Sequence, residues 1–253
     1  MENVGDDKEW KRYERQLSLI GKRGQRKLKQ AKVFIAGAGG LGTAVSAYLA
    51  VAGIGRIEIV DRDSIQLSNL NRQILFSAKD VGKEKAAATV KRLRNLNPHI
   101  ELKAKTEDLL LTHLYARVSS FDVLVDALDN FSARYVLNRA SIHQGIPLIH
   151  GAIRGFYGQI TTILPGKTAC LRCLFPESPD LAPPSVLGPT CGVVGCLQAT
   201  EVIKFILGLG SLLENRLLLF DGLKGVLEEV EIKRRPGCPD CGEEAFLGER
   251  RKK

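Results

Sequence analysis

The stretch VFIAGAGGLGTAVSAYLAVAGIGRIEIVDRDSIQLSNLNRQ, residues 33–73, decides the fold. An apolar run of strand length at 33–36 leads into the glycines of GAGGLG at 37–42. A helical stretch over 40–52 and a second strand-like run at 57–60, ending on Asp61, complete the unit. Strand, glycine turn, helix and strand make the βαβ unit of a nucleotide-binding sheet. In such a unit Gly37 and Gly39 let the backbone turn tightly and approach a phosphate, and Gly42 lets helix and strand pack closely. The helix that opens at Gly40 offers free N–H groups to an anion, and Asp61 is placed to accept bonds from ribose hydroxyls.

The continuation DRDSIQLSNLNRQ is more than a dinucleotide site needs. Ser68, Asn69 and Arg72 bring a hydroxyl, an amide and a guanidinium into one short turn beside the phosphate loop, and Arg suits a two-pronged grip on phosphate oxygens. A pyrophosphate is largely served by a helix N-terminus, whereas a triphosphate carries more charge. Lys85, which opens the helical stretch after VGKE, is a further candidate cation; the lysines and arginines around it read as a solvated helix face. Asp129 ends the strand of DVLVDALDN at the carboxyl edge of the sheet, where a carboxylate beside phosphate-binding cations suits magnesium. The competing role for Asp129 is N-cap of the helix that begins near Asn130. Asp126 reads as a structural residue inside the strand.

Alternating strand and helix patterns predict strands near 33–36, 57–60, 100–104, 123–127 and 147–151, and helices near 40–52, 83–95, 109–119 and 130–144. The fold class that follows is α/β, a Rossmann-like, doubly wound, mostly parallel sheet. Residues 1–30 form an N-terminal helical arm, 31–165 the nucleotide-binding core, and 166–253 a crossover loop, a helix from about 193 to 209, two strand-like runs and two cysteine pairs. Each pair, Cys170-Leu171-Arg172-Cys173 and Cys238-Pro239-Asp240-Cys241, is a C-x2-C knuckle. Four such thiolates suit a closed, tetrahedral, structural zinc site that pins the C-terminal segment to the core. The histidines, His99, His113, His143 and His150, have no ligand spacing and read as ordinary surface or core residues.

With 253 residues and 44% hydrophobic content the chain can bury a full core. The charged first residues and apolar runs short of a membrane span lead us to expect a cytoplasmic protein without membrane contact. A net charge of +9 favours an anionic partner without choosing one. Neither basic run, GKRGQRKLKQAK nor GERRKK, interleaves aromatics with its cations, so nucleic acid is not expected as a partner.

Taken in order, RYERQ at 12–16, GAGGLG, DRDSIQLSNLNRQ, VGKEKA, DALDN, CLRC, GVVGCLQATEVIK at 192–204 and CPDC resemble the MoeB/ThiF/HesA family of adenylyltransferases, relatives of the ubiquitin-activating enzymes. The likeness covers nearly the whole length and implies one adenylation domain. It implies ATP, used with Mg2+, bound by Gly37, Gly39, Gly40, Gly42, Asp61, the turn Ser68, Asn69, Leu70, Asn71 and Arg72, and by Lys85, Asp129 and Asn130. It also implies a homodimer in which Arg15 reaches into the other subunit's ATP site. On pattern alone, Arg15 would lie on the solvated face of an amphipathic helix. The implied reaction is attack by the C-terminal glycine carboxylate of a ubiquitin-like sulfur-carrier protein on the α-phosphate of ATP. Arg15, Arg72, Lys85 and magnesium-bearing Asp129 would supply the charge, on a path to molybdopterin, thiamin or thiolated tRNA.

Two other readings stay open: a nicotinamide-dependent Rossmann oxidoreductase and a zinc-stabilised nucleic-acid-binding protein. Many members of the family carry a cysteine in the crossover loop, where this chain has Leu181. Cys191 lies just before the expected helix N-terminus, which could lower its pKa, yet its apolar setting suits a small buried thiol. We therefore expect the reaction to stop at the acyl-adenylate.

Overall fold

The computed structural model describes residues 7–110, 113–177 and 185–242. Helices α1 (Asp7–Arg12) and α2 (Glu14–Gln30) precede the core, and α2 is kinked at Gly21. The core runs β1 (Lys32–Ala36), α3 (Gly40–Ala52), β2 (Arg56–Val60), α4 (Lys85–Leu96), β3 (Glu101–Lys105), α5 (Leu114–Val118), β4 (Val123–Asp126), α6 (Phe131–Gln144) and β5 (Leu148–Arg154). It continues with β6 (Tyr157–Ile163), α7 (Leu171–Leu174), α8 (Gly188–Leu207), β7 (Arg216–Asp221) and β8 (Val226–Glu231).

One sheet holds all eight strands in the order β3-β2-β1-β4-β5-β6-β7-β8. The first five pair in parallel and the last three antiparallel. Strand order reverses between β1 and β4, and at such a switch point the loops leaving the two strands diverge and open a crevice. Alternation along the strands builds the core on both faces. Val33, Ile35, Ile57, Ile59, Val123, Val125 and Ile149 face α3, α4 and α8. Phe34, Leu124 and Leu148 share the other face with α5, α6 and the cysteine knuckles.

Three sequence expectations shift. The helix expected over 109–119 is shorter, because the Asp108 carboxylate accepts the Leu110 N–H at 2.9 Å and turns the chain there. Helix α8 begins at Gly188 rather than near 193: Pro189 sits in its first turn, where proline's missing N–H costs nothing. At 20 residues α8 is also long and apolar enough to cross a membrane, against the expectation that no run reaches that length. Half of it is buried, and its polar groups bond inward. Gln198 donates to the Asp126 carbonyl at 2.8 Å, and the Glu201 carboxylate accepts from Thr162 and from the Leu213 N–H at 2.5 and 2.9 Å. Segment 178–184 of the crossover loop, including Leu181, lies outside the described residues.

The N-terminal arm docks on the C-terminal end of α3. Tyr13 is buried, and its hydroxyl accepts from the Asn97 amide at 2.9 Å; the same amide donates to the Ala50 carbonyl. Gln16 and Gln25 both donate to the Ala52 carbonyl, at 2.8 and 3.0 Å. These side chains bond carbonyls of the last turn of α3, where the intrahelical partners run out. Gly53 terminates α3 with φ +88°, and a Cβ there would lie 2.7 Å from the Tyr13 ring and from the Gln25 amide. Gly53→Ala is expected to lower the unfolding free energy by about 2 kcal/mol or more, from strain and the clash together, as read by urea denaturation.

Candidate nucleotide site and cysteine cluster

The crevice lies between the glycine loop after β1 and the loop 127–130 after β4. Gly37 bonds through its N–H to Val60, and the Ala127 N–H bonds to Ala36, at 2.8 and 2.9 Å. At Gly37, φ is +101° and a Cβ would stand 2.5 Å from the Ala127 carbonyl oxygen, so only glycine allows this approach. Asp61 secures the loop: its two oxygens accept the N–H groups of Ala38 and Asp63 at 2.7 and 2.8 Å. Burial pushes its carboxyl above the ordinary range, opposed by those N–H groups and by Lys85. Each oxygen keeps a lone pair for the ribose hydroxyl expected there.

The turn 67–72 folds over this loop and staples itself. Asn69 is buried and accepts the Gln66 N–H at 3.0 Å through its side-chain oxygen. Arg72 donates to the Ser68 carbonyl and to the Asn71 side chain at 2.9 and 3.0 Å. Its stem packs 3.6 Å from where a Gly40 Cβ would be. Ser68 and Asn71 are exposed, and Leu70 packs inward. The first turn of α8 closes the far side, with Gly188 against the backbone of Asn71.

Lys85 is the first residue of α4 and is only 7% exposed, whereas Lys79, Lys83 and Lys91 are exposed. Its ammonium donates to Asp63 at 2.7 Å, a partner the sequence reading did not name. Asn130, not Asp129, caps α6, accepting the Ala133 N–H at 2.9 Å. That leaves the Asp129 carboxylate exposed, with a single bond from the Asn130 amide at 3.2 Å, and frees it for a ligand. Arg62 stands nearby, held by Asp108, whose hydrogen bond raises its pKa. Gln73 adds a further unassigned group. It is buried, its amide nitrogen lies 3.9 Å from a Gly39 Cβ position, and its side-chain oxygen has no hydrogen-bond partner among the described residues.

Arg15 is not part of this cluster. It is exposed on α2, beside Gln16, which is tied to the C-terminal end of α3. The phosphate loop lies at the N-terminal end of that helix, about 20 Å away at 1.5 Å per residue.

The four knuckle cysteines converge. Their sulfurs lie within 4.8 Å of one another, with Cys170 3.9 Å from Cys173 and 3.6 Å from Cys238, and Cys173 3.4 Å from Cys241. A tetrahedron of zinc–sulfur bonds places sulfurs about 3.8 Å apart, so the donor set fits. Without a cation the thiols cannot all ionise. Burial holds Cys173 up at about 11, and donation from the Cys170 thiol pulls Cys241 down to about 5. Asn138 of α6 ties both knuckles, accepting the Leu171 N–H at 2.9 Å and donating to Asp240 at 2.8 Å.

Residues 13–240 match the ThiF family. The chain belongs to the ThiF family. It is 42% identical over 240 residues to the SAMP-activating enzyme E1 of Haloferax volcanii, covering 92% of this chain and 88% of that one. To the sulfur carrier protein adenylyltransferase of Thermus thermophilus it is 41% identical over 246 residues, covering 92% and 91%. Against the adenylyltransferase and sulfurtransferase MOCS3 of Sus scrofa it is 40% identical and spans about half that protein, 54%. Among solved structures, E. coli MccB with ATP superposes with a TM-score of 0.81 at 28% identity, over 95% of this chain and 75% of that one. Family membership favours neither the oxidoreductase nor the nucleic-acid-binding alternative.

Cys191 takes the buried place that its apolar setting suited. It lies inside the first turn of α8 and is buried, with its sulfur against Gly40. Burial pushes its thiol up to about 11, despite the Arg72 guanidinium. A helix N-terminus does not activate it. Iodoacetamide at pH 8 should label it about a hundredfold more slowly than an ordinary thiol, as two pKa units dictate. Its rate, read by peptide mass spectrometry, should keep rising about tenfold per pH unit to pH 10.

Proposed function

We propose that this protein is an ATP-dependent adenylyltransferase that activates the C-terminal glycine carboxylate of a ubiquitin-like sulfur-carrier protein as an acyl-adenylate. The observation that carries the reading is the composition of one crevice. A glycine loop at a helix N-terminus and a carboxylate freed from capping, Asp129, follow the two strands of the switch point, and the Arg72 and Lys85 cations beside them support the reading. The likeness to sulfur-carrier adenylyltransferases over nine-tenths of both chains supports the substrate class.

The carrier's carboxylate oxygen attacks the α-phosphorus, forming the mixed anhydride, while the bond to the bridging oxygen breaks and pyrophosphate departs with its electron pair. The substrate supplies the nucleophile, so the protein's part is alignment and charge. Backbone N–H groups at Gly39 and Gly40 and the guanidinium of Arg72 hold phosphate oxygens. Lys85 exchanges Asp63 for phosphate, and Asp61 holds the ribose. Asp129 and the adjacent Asn130 suit magnesium on the phosphates, which would neutralise charge as pyrophosphate forms. The buried Cys191, with its raised thiol pKa, supports a reaction that stops at the acyl-adenylate.

A homodimer completes the site. Docked at the far end of α3, Arg15 is out of reach of its own phosphate loop and exposed for another subunit's, so the Arg15 of the partner subunit serves this crevice. The four-cysteine cluster binds a structural zinc ion, and six cysteines with no disulfide among them suit a reducing compartment, the cytoplasm.

ATP–pyrophosphate exchange, run with a panel of ubiquitin-like carriers ending in glycine, tests the reading. Arg15→Ala and Arg72→Ala should each lose exchange by at least about a hundredfold. Mixing the two should restore about a quarter of wild-type activity through heterodimers with one intact site. Failure to recover despite confirmed subunit exchange would assign Arg15 to its own subunit. Elemental analysis should find one zinc per chain, and Cys238→Ser should lower Tm by about 10 °C or more while the chemical step is retained below that temperature.

A further inference from the structure

His150, which reads from sequence as an ordinary surface or core residue, is fully buried. The register of the sheet sets it beside Asp126 across β4 and β5, and its Nδ1 lies 2.7 Å from the Asp126 carboxylate. Burial lowers the pKa of the ring, opposed by Asp126, so the imidazole is neutral with one proton to give. Nδ1–H donates to the carboxylate, and Nε2 accepts from the Gln159 amide at 3.2 Å. The charged groups facing this network are Asp126 and Arg134, whose Nε lies 3.7 Å from the carboxylate.

Burying a carboxylate and a guanidinium costs several kcal/mol unless their bonds are well made, so where those bonds end is informative. The second Asp126 oxygen accepts the Leu128 N–H at 3.0 Å, and Arg134 donates to the Leu128 carbonyl at 2.6 Å. Both peptide units flanking Leu128 are thereby held. The following residue is Asp129, and beyond it Asn130 is locked as the cap of α6. The backbone on both sides of Asp129 is therefore fixed while its carboxylate faces solvent.

We infer that His150, acting through Asp126 and the Leu128 peptide, is a positioning residue that sets the Asp129 carboxylate for the cation that accompanies the nucleotide. This inference rests on the proposed role of Asp129 as a magnesium ligand. Preorganisation of this kind matters because a ligand oxygen displaced by even half an ångström binds the ion poorly, while the phosphate-holding groups across the crevice are unaffected.

The test uses the full chain and ATP alone, with affinity measured by calorimetry in magnesium and in EDTA. Asparagine places a donor where Nδ1 stands, glutamine places one nearer Nε2, and leucine offers none. His150→Leu and His150→Gln should bind ATP in EDTA within about twofold of wild type but lose at least about fivefold of the gain that magnesium gives. His150→Asn should keep that gain. Should the leucine variant fail to fold, the asparagine and glutamine pair carries the same comparison. Asp129→Ala separates the two levels of the argument. If it loses the magnesium gain while the glutamine and leucine variants keep it, or if all three His150 variants fall alike in EDTA as well as in magnesium, His150 does not position Asp129. If Asp129→Ala itself keeps the gain, the magnesium role of Asp129 falls, and the inference with it.

Discussion

The approach of two backbones at the switch point governs the rest. Because Gly37 has no side chain, the chain leaving β1 passes against the Ala127 carbonyl, and the loops after β1 and β4 become the two walls of one crevice. The glycine loop and Asp129 belong to those walls, Arg72 to the turn that lies over them, and Lys85 to the start of α4 beside Asp63. Asp61 holds the first wall by its backbone, and Asp126 with Arg134 holds the second. Charged side chains with structural bonds thus leave the ligand-facing positions free, which is how a site stays fixed before its ligand arrives.

Helix α3 links this crevice to the arm. Its N-terminal end presents backbone N–H groups to an anion, and its C-terminal carbonyls are taken by Gln16, Gln25 and Asn97. The RYERQ segment therefore divides its labour: Tyr13 and Gln16 face inward as anchors and Arg15 faces outward. A helix is a rigid spacer, so the anchor fixes how far Arg15 stands from its own loop.

Local patterns made the parallel half of the sheet legible, since each βα unit is contiguous and its glycine turn is written in six residues. The antiparallel half was not, because β6, β7 and β8 join the sheet through pairings that no short window contains. The start of α8 was missed because a proline reads as loop unless its place in a first turn is considered. Of the residues named from motifs, those for the nucleotide lie around one crevice apart from Arg15, and the four cysteines form a separate cluster. What sequence could not give were partners set by register or by long-range folding: Asp63 for Lys85, His150 for Asp126, and Asn138 between the two cysteine knuckles. The choice between Asp129 and Asn130 as helix cap was also undecidable, since both residue types cap well and only the backbone geometry selects one.

The last strand has a different consequence. Among the described residues β8 is one edge of the sheet, exposed along its whole length, and such an edge is open to strand addition. Along it Val226, Leu227 and Val230 are partly exposed, a composition that invites another chain. Glu228, Glu229 and Glu231 interrupt that run. Two copies meeting edge to edge at β8 would crowd these carboxylates together, and charge of one sign along an edge disfavours such pairing, although Arg216 already pairs with Glu229 at 2.8 Å.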